Sequence, residues 1–120
     1  MLLNDIKVAL ETLGLPVYYG MAQTMDGEDL WDYIVFFRTG VSPSETKRSM
    51  ADAFTVALVQ ENYVDDGKLN DLMKALRAIP GVSIQQSGVS YEYMMKPGTN
   101  TVLEAALVPF IKPFKACNRG

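Results

Sequence analysis

The side chains that could carry chemistry in this 120-residue chain are carboxylates, tyrosines and one cysteine, because histidine is absent. Without histidine the chain lacks the commonest general base, the usual catalytic triads and most zinc sites. It also lacks the glycine-rich phosphate and dinucleotide motifs and the nucleophile elbow of hydrolases. We therefore expect a protein that is not an enzyme, with no catalytic residues, no cofactor and no metal.

Two groups of carboxylates have the chemistry of cation sites. The carboxylates of residues 26–29 could hold a divalent cation weakly, but a solvated loop is the simpler interpretation. Asp65 and Asp66 lie in a partial calcium-loop pattern, yet Val64 occupies a ligand position and no glutamate follows at the required distance. Both aspartates are better explained as N-caps of the helix that follows them.

The aromatic residues suggest packing or binding surfaces. Four tyrosines could stack nucleic-acid bases: Tyr18, Tyr19, Tyr91 and Tyr93. No basic stripe accompanies them and the net charge is -3, so we interpret them as strand packing and expect no sequence-specific nucleic-acid partner. Trp31 suits either the core or an interface with a partner. The single cysteine, Cys117, excludes a disulfide framework and indicates synthesis in a reducing cytoplasm.

One strand and one helix organise the elements that must position these side chains. Phe54–Glu61 is apolar on both faces, which predicts a strand in the interior of a sheet. A helical stripe follows and is stopped by Pro80-Gly81; its members are Leu69, Leu72, Met73, Leu76 and Ile79. A second stripe predicts an N-terminal helix with Asn4 as a possible cap; its members are Leu3, Ile6, Leu10 and Leu13.

The remaining segments complete the predicted fold. The expected further strands are Val17–Tyr19, Asp32–Arg38, Val82–Gln86, Val89–Met95 with one wet face, and Val102–Ile111 at the sheet edge. Connections of hairpin length then predict an α+β fold: a mainly antiparallel four- to five-stranded sheet with two helices packed on one face, in the order αβββαββ. Residues 1–120 are expected to form one domain. No signal peptide and no membrane-length apolar stretch is visible, so we expect a soluble protein with no membrane partner.

The segment Thr39–Asp52 is predicted to be a long binding loop between two strands. Its mixture of charges suits rim contacts that set partner choice. Residues 112–120 are expected to form a frayed tail. The predicted subunit or partner interface consists of Trp31, Arg38, Glu45, Lys47, Arg48 and Asp52.

Several short sequence segments resemble those of a known family. An N-terminal helix leads into Pro16, Val17, Tyr19 and Gly20. A loop separates these residues from the predicted strand segment YIVF at residues 33–36. This pattern resembles the tail-completion or tail terminator (tail-to-head joining) proteins of long-tailed bacteriophages and prophages. The later words AFTVALVQEN, DDGKLNDLMKALRAIPG, VSYEYMMK and TVLEAALVPFIK follow the family order, although the strand after the long loop lacks the usual tyrosine or tryptophan.

The resemblance implies a structural virion protein. Such a protein forms a ring, typically a hexamer, that caps the tail tube and joins it to the head connector. The implied partners are other copies of itself, the tail tube protein and head-tail connector proteins. The implied location is the tail or neck of the virion, and the host cytoplasm during assembly. The alternatives that remain open are another phage neck component, such as a minor capsid or head-completion protein, a small-molecule-binding domain, and an enzyme that uses carboxylates and tyrosines.

Overall fold

The computed structural model describes residues 2–20, 32–43, 49–96 and 98–115. The elements in chain order are α1 (Leu2–Glu11), β1 (Val17–Tyr19), β2 (Tyr33–Pro43), β3 (Ser49–Glu61), α2 (Asp66–Arg77), β4 (Ser83–Ile84), β5 (Ser90–Met95) and β6 (Val102–Lys115). Within these described residues, no helix combines the length and the apolar character needed to span a bilayer.

The helix α2 confirms the prediction made from its apolar spacing. Its N-cap is Asp65, whose side chain accepts a hydrogen bond from the backbone N–H of Lys68 at 3.0 Å. This bond satisfies one of the N–H groups that a helix start leaves without a partner. Along the helix, Leu69, Leu72 and Leu76 are all buried, as the stripe predicted.

Both helices lie on one face of the sheet. Ile6 and Leu10 from α1 join the three α2 leucines in a single buried cluster. The sheet contributes alternate residues to this cluster, and its buried members are Ile34, Phe36, Phe54, Val56, Leu58, Ala106, Val108 and Phe110. The rings of Phe54 and Phe110 stack across the middle of this face with their centroids 5.4 Å apart. Burial of this apolar surface, at about 25 cal/mol per Å², is the main stabilising contribution to the fold.

The sheet is mixed and has six strands, in the order β1-β2-β3-β6-β4, with β5 also paired to β6. β1 runs parallel to β2, and the other described pairings are antiparallel. The prediction of a mainly antiparallel sheet of four to five strands is therefore wrong: six segments are predicted as strands, although the predicted order counts only five, and all six pair in the sheet. The error arises at the connection of residues 20–32, because the prediction assumes connections of hairpin length throughout the sheet. This connection is as long as the dozen or so residues that a parallel crossover requires.

The strand β6 lies inside the sheet, so its predicted position at the edge is wrong. It pairs with β3 on one side and with β4 and β5 on the other. The carbonyl of Pro109 accepts a hydrogen bond from the Gln85 backbone N–H at 2.8 Å, so the backbone polar groups of Pro109 point toward the β4 and β5 side. That side is interrupted between β4 and β5, at residues 85–89. The missing N–H of Pro109 therefore removes no bond from a continuous ladder.

Most of the predicted loop Thr39–Asp52 is strand. β2 continues to Pro43 and β3 begins at Ser49, with a register irregularity between Arg38 and Gly40. β6 extends this ribbon as a third strand to Lys115, so the predicted frayed tail is wrong for residues 112–115. We call this three-stranded extension (residues 40–43, 49–53 and 111–115) the distal arm. The sequence hides it because its glycine, proline and charges carry no apolar period, while its pairing uses backbone groups.

Candidate functional site

The outer edge of β5 is the most exposed apolar part of the described sheet. All six residues of β5 are exposed on both faces, and β6 is the only described strand that pairs with it. Its large side chains include Tyr93, which is 64% exposed, and Met95, which is 53% exposed. A strand of this kind presents unpaired N–H and C=O groups beside apolar side chains, which makes it a template for pairing with another strand.

A small polar cluster anchors β5 and the start of α2 to the end of the sheet. The Glu104 carboxylate on β6 accepts a hydrogen bond from the Val64 backbone N–H at 2.8 Å. The same carboxylate interacts with the hydroxyl of Tyr93, and this hydrogen bond raises the pKa of the tyrosine. Nearby, the buried Gln60 accepts a hydrogen bond from the Asp65 backbone N–H at 2.9 Å. This cluster organises the chain around the base of β5 and leaves the outer edge of the strand open.

A salt bridge joins the residue after β5 to the end of β3. The Lys96 ammonium lies 2.9 Å from the Glu61 carboxylate at the end of β3. The Lys96 backbone N–H also donates to the Thr101 carbonyl at 2.8 Å, which continues the ladder between β5 and β6. The strand β5 is therefore held firmly on its inner side, although its outer side is exposed.

The opposite edge of the sheet is formed by β1 and is also aromatic. Tyr19 is exposed, and its hydroxyl accepts a hydrogen bond from Nε of Arg38 at 3.1 Å. On the face without helices, the rings of Tyr18 and Tyr33 meet edge to face with their centroids 6.0 Å apart. Burial raises the pKa of Tyr33, and the neighbouring Tyr18 adds to this effect. Tyr33 is therefore neutral at physiological pH.

The predicted interface residues fall into two groups. Trp31, Glu45, Lys47 and Arg48 lie outside the described residues. Arg38 and Asp52 are described: Arg38 lies opposite Phe54 on β3, and Asp52 lies two residues before Phe54 on the same strand. Alternation along β3 places these two side chains on the helix-bearing side, where Arg38 reaches toward β1 and Asp52 belongs to the distal arm. Their role at an interface stays a prediction.

Sequence reasoning missed the importance of the β5 edge. Tyr91 and Tyr93 were interpreted as strand packing, and one face of this strand was expected to be dry; both expectations are wrong, because both faces are exposed. The alternation of Tyr91 and Tyr93 with Ser90 and Glu92 indicated a strand correctly. The signal that could have revealed its position is the absence of branched aliphatic residues from Ser90 to Met95, which separates it from β3.

Metal-ligating side chains are not clustered in the described part of the chain. The described residues include no group of three or more histidine, cysteine, aspartate or glutamate side chains placed to hold a metal ion. The acidic stretch at residues 26–29 and Cys117 lie outside the described ranges. Two concavities are small, at about 150 and 270 Å³, below the range of roughly 300–1,000 Å³ that is usual for small-molecule sites. The larger is a shallow apolar depression on the face without helices, between Phe37, Thr55 and Leu107.

Comparisons with known proteins do not support the family suggested by the sequence. No protein-family model matches the chain, and no curated protein matches it. Among solved structures, the chain is similar to the type 4 fimbrial biogenesis protein PilO from Pseudomonas aeruginosa. The TM-score is 0.47 and the sequence identity is 13%, and the alignment covers 95% of this chain and 67% of that chain. The assignment to the phage tail-completion family is therefore wrong: no model of that family and no curated protein of that family matches the chain.

Proposed function

We propose that this protein is a non-enzymatic structural component that acts by assembling with other copies of itself into a closed ring. The observation that carries the proposal is the strand β5, whose six residues are all exposed and whose outer edge, at one end of the sheet, pairs with no described strand. The second edge strand, β1, lies at the other end, and no described strand pairs with its outer side. A subunit with two complementary free edges can join copies head to tail, and the chain of copies ends only when the rotation between them closes a ring.

The proposed ring has a structural role and performs no reaction. Within the described ranges, the polar side chains with assigned partners hold the fold together. Asp65 caps α2, Glu104 and Gln60 bind backbone N–H groups, and Lys96 pairs with Glu61. This use of the polar groups supports a scaffold better than a catalytic centre, in which a base or nucleophile must face a substrate cavity.

The biological setting that we propose is a phage virion, in which the ring closes a tail tube and meets the head connector. The family resemblance is no longer part of this proposal. A ring needs interfaces on both sides of each subunit, and a ring that caps a tube also needs a surface that contacts the tube. The distal arm, a three-stranded ribbon beyond the helix-covered core, is the surface that we assign to the tube contact.

The mass of the purified protein tests the assembly proposal. We expect light scattering coupled to size-exclusion chromatography to show a discrete species whose mass is a small multiple of the 13.3 kDa monomer. A hexamer is the expected size, and negative-stain images should show rings. A monomer at every concentration up to the solubility limit would contradict the proposal, and so would an open-ended distribution of fibres.

The virion proposal is tested separately by genetic complementation. A phage that lacks the corresponding gene should produce heads and tails that fail to join, and the expressed protein should restore infectious particles. Restoration should fail with a variant in which the distal arm is shortened. If the protein assembles as a ring but is absent from purified virions, the ring proposal stands and the virion setting is wrong.

A further inference from the structure

The exposed backbone groups of β5 can be assigned to particular residues. The bond from the Lys96 N–H to the Thr101 carbonyl defines the hydrogen-bonded positions of the ladder with β6. Because such positions alternate along an antiparallel pair, Ser90, Glu92 and Met94 direct their backbone groups toward β6. Tyr91, Tyr93 and Met95 therefore direct their N–H and C=O groups outward, away from β6. The outer edge of β5 offers three donors and three acceptors.

The outward groups of β1 follow from the same reasoning. The Ile34 N–H donates to the Pro16 carbonyl at 2.8 Å, and the Gly20 N–H donates to the Phe36 carbonyl at 2.9 Å. Residues 16, 18 and 20 therefore face β2, because alternate residues of a strand point their backbone groups to the same side. Val17 and Tyr19 direct theirs outward, and no described strand pairs with this edge.

The directions of the two edge strands allow antiparallel pairing between copies. β1 runs parallel to β2, β2 and β6 are both antiparallel to β3, and β5 is antiparallel to β6. β5 and β1 therefore run in opposite directions across the sheet. If a second copy is placed beside the first with its helices on the same side, its β1 lies antiparallel to β5 of the first copy.

The two edges also match in the side chains that they present. Val17 and Tyr19 lie opposite Ile34 and Phe36, which belong to the helix-side core. Tyr91 lies opposite Ala106 of the same core, and Tyr93 shares its face because side chains alternate along the strand. The outward-facing residues of both edges thus carry their side chains on the same face of the sheet. Pairing the edges would place an aromatic or aliphatic residue of β1 opposite an aromatic one of β5, a favourable cross-strand combination.

We propose that β5 of one copy pairs antiparallel with β1 of the next copy, so that the sheet continues from subunit to subunit around the ring. This inference rests on the proposed function and names the interface that it requires. The occupant of the β5 edge is a second copy of this chain, because its own β1 has the direction, the face and the outward groups that fit. Pairing β5 with β5 across a two-fold axis leaves β1 open in both copies, whereas head-to-tail pairing covers both edges.

Two proline variants test the interface, one for each edge. Tyr93→Pro and Tyr19→Pro remove an outward N–H that bonds to nothing described within the subunit, a position at which an edge strand tolerates proline. The pyrrolidine ring of the introduced proline also obstructs a neighbouring strand at the same point. Tyr93→Thr and Tyr19→Thr are the matched controls, because they lose the aromatic ring and keep the backbone donor. Thermal melting and circular dichroism of each variant show whether the subunit still folds.

The expected result is loss of the ring in both proline variants, with monomers in light scattering. Each variant keeps one intact edge, so a mixture of the two should form a one-to-one heterodimer and nothing larger. The threonine controls should retain the ring with weakened association. If a proline variant fails to fold, Tyr93→Lys and Tyr19→Lys replace it, because an edge lysine opposes strand pairing without constraining the backbone.

Three results would overturn the inference, and they differ from one another. Rings in both folded proline variants would mean that the sheet edges are not the interface, while the proposed assembly function would stand. A dimer of Tyr19→Pro alone, with no heterodimer in the mixture, would indicate two-fold pairing of β5 with β5. A wild-type protein that is monomeric throughout would overturn the proposed function together with this inference.

Discussion

The packing of α2 on the sheet predicts a large stability loss for Leu76→Ala. Leu76 is fully buried in the cluster formed by both helices and the sheet. The substitution removes three carbon atoms, and at about 0.8 kcal/mol for each buried carbon the transfer contribution is about 2.4 kcal/mol. A residual cavity of about 50 Å³ would add about 1.2 kcal/mol at roughly 24 cal/mol per Å³. We therefore expect the free energy of unfolding to fall by about 3.6 kcal/mol, within the usual range for a buried leucine.

Thermal and urea unfolding measure this loss directly. With an unfolding entropy of about 2.1 cal/mol/K per residue, the 120-residue chain has about 0.25 kcal/mol/K in total, so Tm should fall by about 14 °C. Both proteins must be compared at one concentration and in one oligomeric state, because association raises apparent stability. Val8→Ala is the matched control: it also removes apolar carbons from a helix, at a position that is 56% exposed. A Leu76→Ala loss no larger than the Val8→Ala loss would refute the packing of α2 described above.

The remaining predictions concern polar groups. Asp65→Ala should lower the free energy of unfolding in urea by about 1 kcal/mol, because the N-cap bond to α2 is lost; Asp65→Asn should retain most of it, and equal losses would contradict the capping role. Gln60→Leu should cost about 1–3 kcal/mol, because a backbone N–H that it satisfies loses its acceptor, and an unchanged urea midpoint would contradict this. Burial raises the folded-state pKa of Tyr33 above its ordinary value of about 10. The stability that neutral Tyr33 contributes is fully present below that pH and is lost as the pH rises through the folded-state pKa. Tyr33→Phe should therefore flatten the decline of the free energy of unfolding at alkaline pH. Identical slopes of this free energy against pH in both proteins would contradict a raised pKa for Tyr33.

Elements whose signals are local in the chain could be predicted from the sequence. The apolar spacing of α2, its cap Asp65 and the buried leucines are contained in one segment, and α1 follows the same rule with Ile6 and Leu10. The strand β3 was recognisable as interior because it is apolar on both faces. In each case the pattern and the position of the element agree, because the residues that are buried belong to the element itself.

Pairing between distant segments could not be predicted in the same way. The parallel pairing of β1 with β2 depends on where the connection of residues 20–32 returns the chain, which no short pattern encodes. The interior position of β6 depends on the interruption between β4 and β5, which makes Pro109 acceptable there. The distal arm depends on backbone pairing with little apolar patterning. A rule applied to one segment at a time treats a proline as an edge signal and a polar stretch as a loop.

The candidate site shows a similar division. The predicted interface combines Trp31 and Arg38 with four charged residues of the predicted loop, and of these six only Arg38 and Asp52 belong to the described part of the chain. The exposed edge of β5 was not chosen, because its tyrosines look like ordinary strand residues in the sequence. Their exposure follows from the position of β5 beside β6 at the border of the sheet, so it becomes visible only in the assembled tertiary structure.

The central position of β6 has a consequence for how the protein is made. β6 pairs with β3, β4 and β5, and residues 49–61 must wait for residues 103–115 before their ladder can form. Contacts so distant along the chain slow folding, because a long loop must close before the pairing stabilises it. During synthesis, β3 can pair with β2, but it emerges from the ribosome as an apolar strand whose other side lacks β6. Folding of the sheet must follow the release of residue 115 from the ribosomal tunnel, and chaperone binding before that point would protect β3 from aggregation.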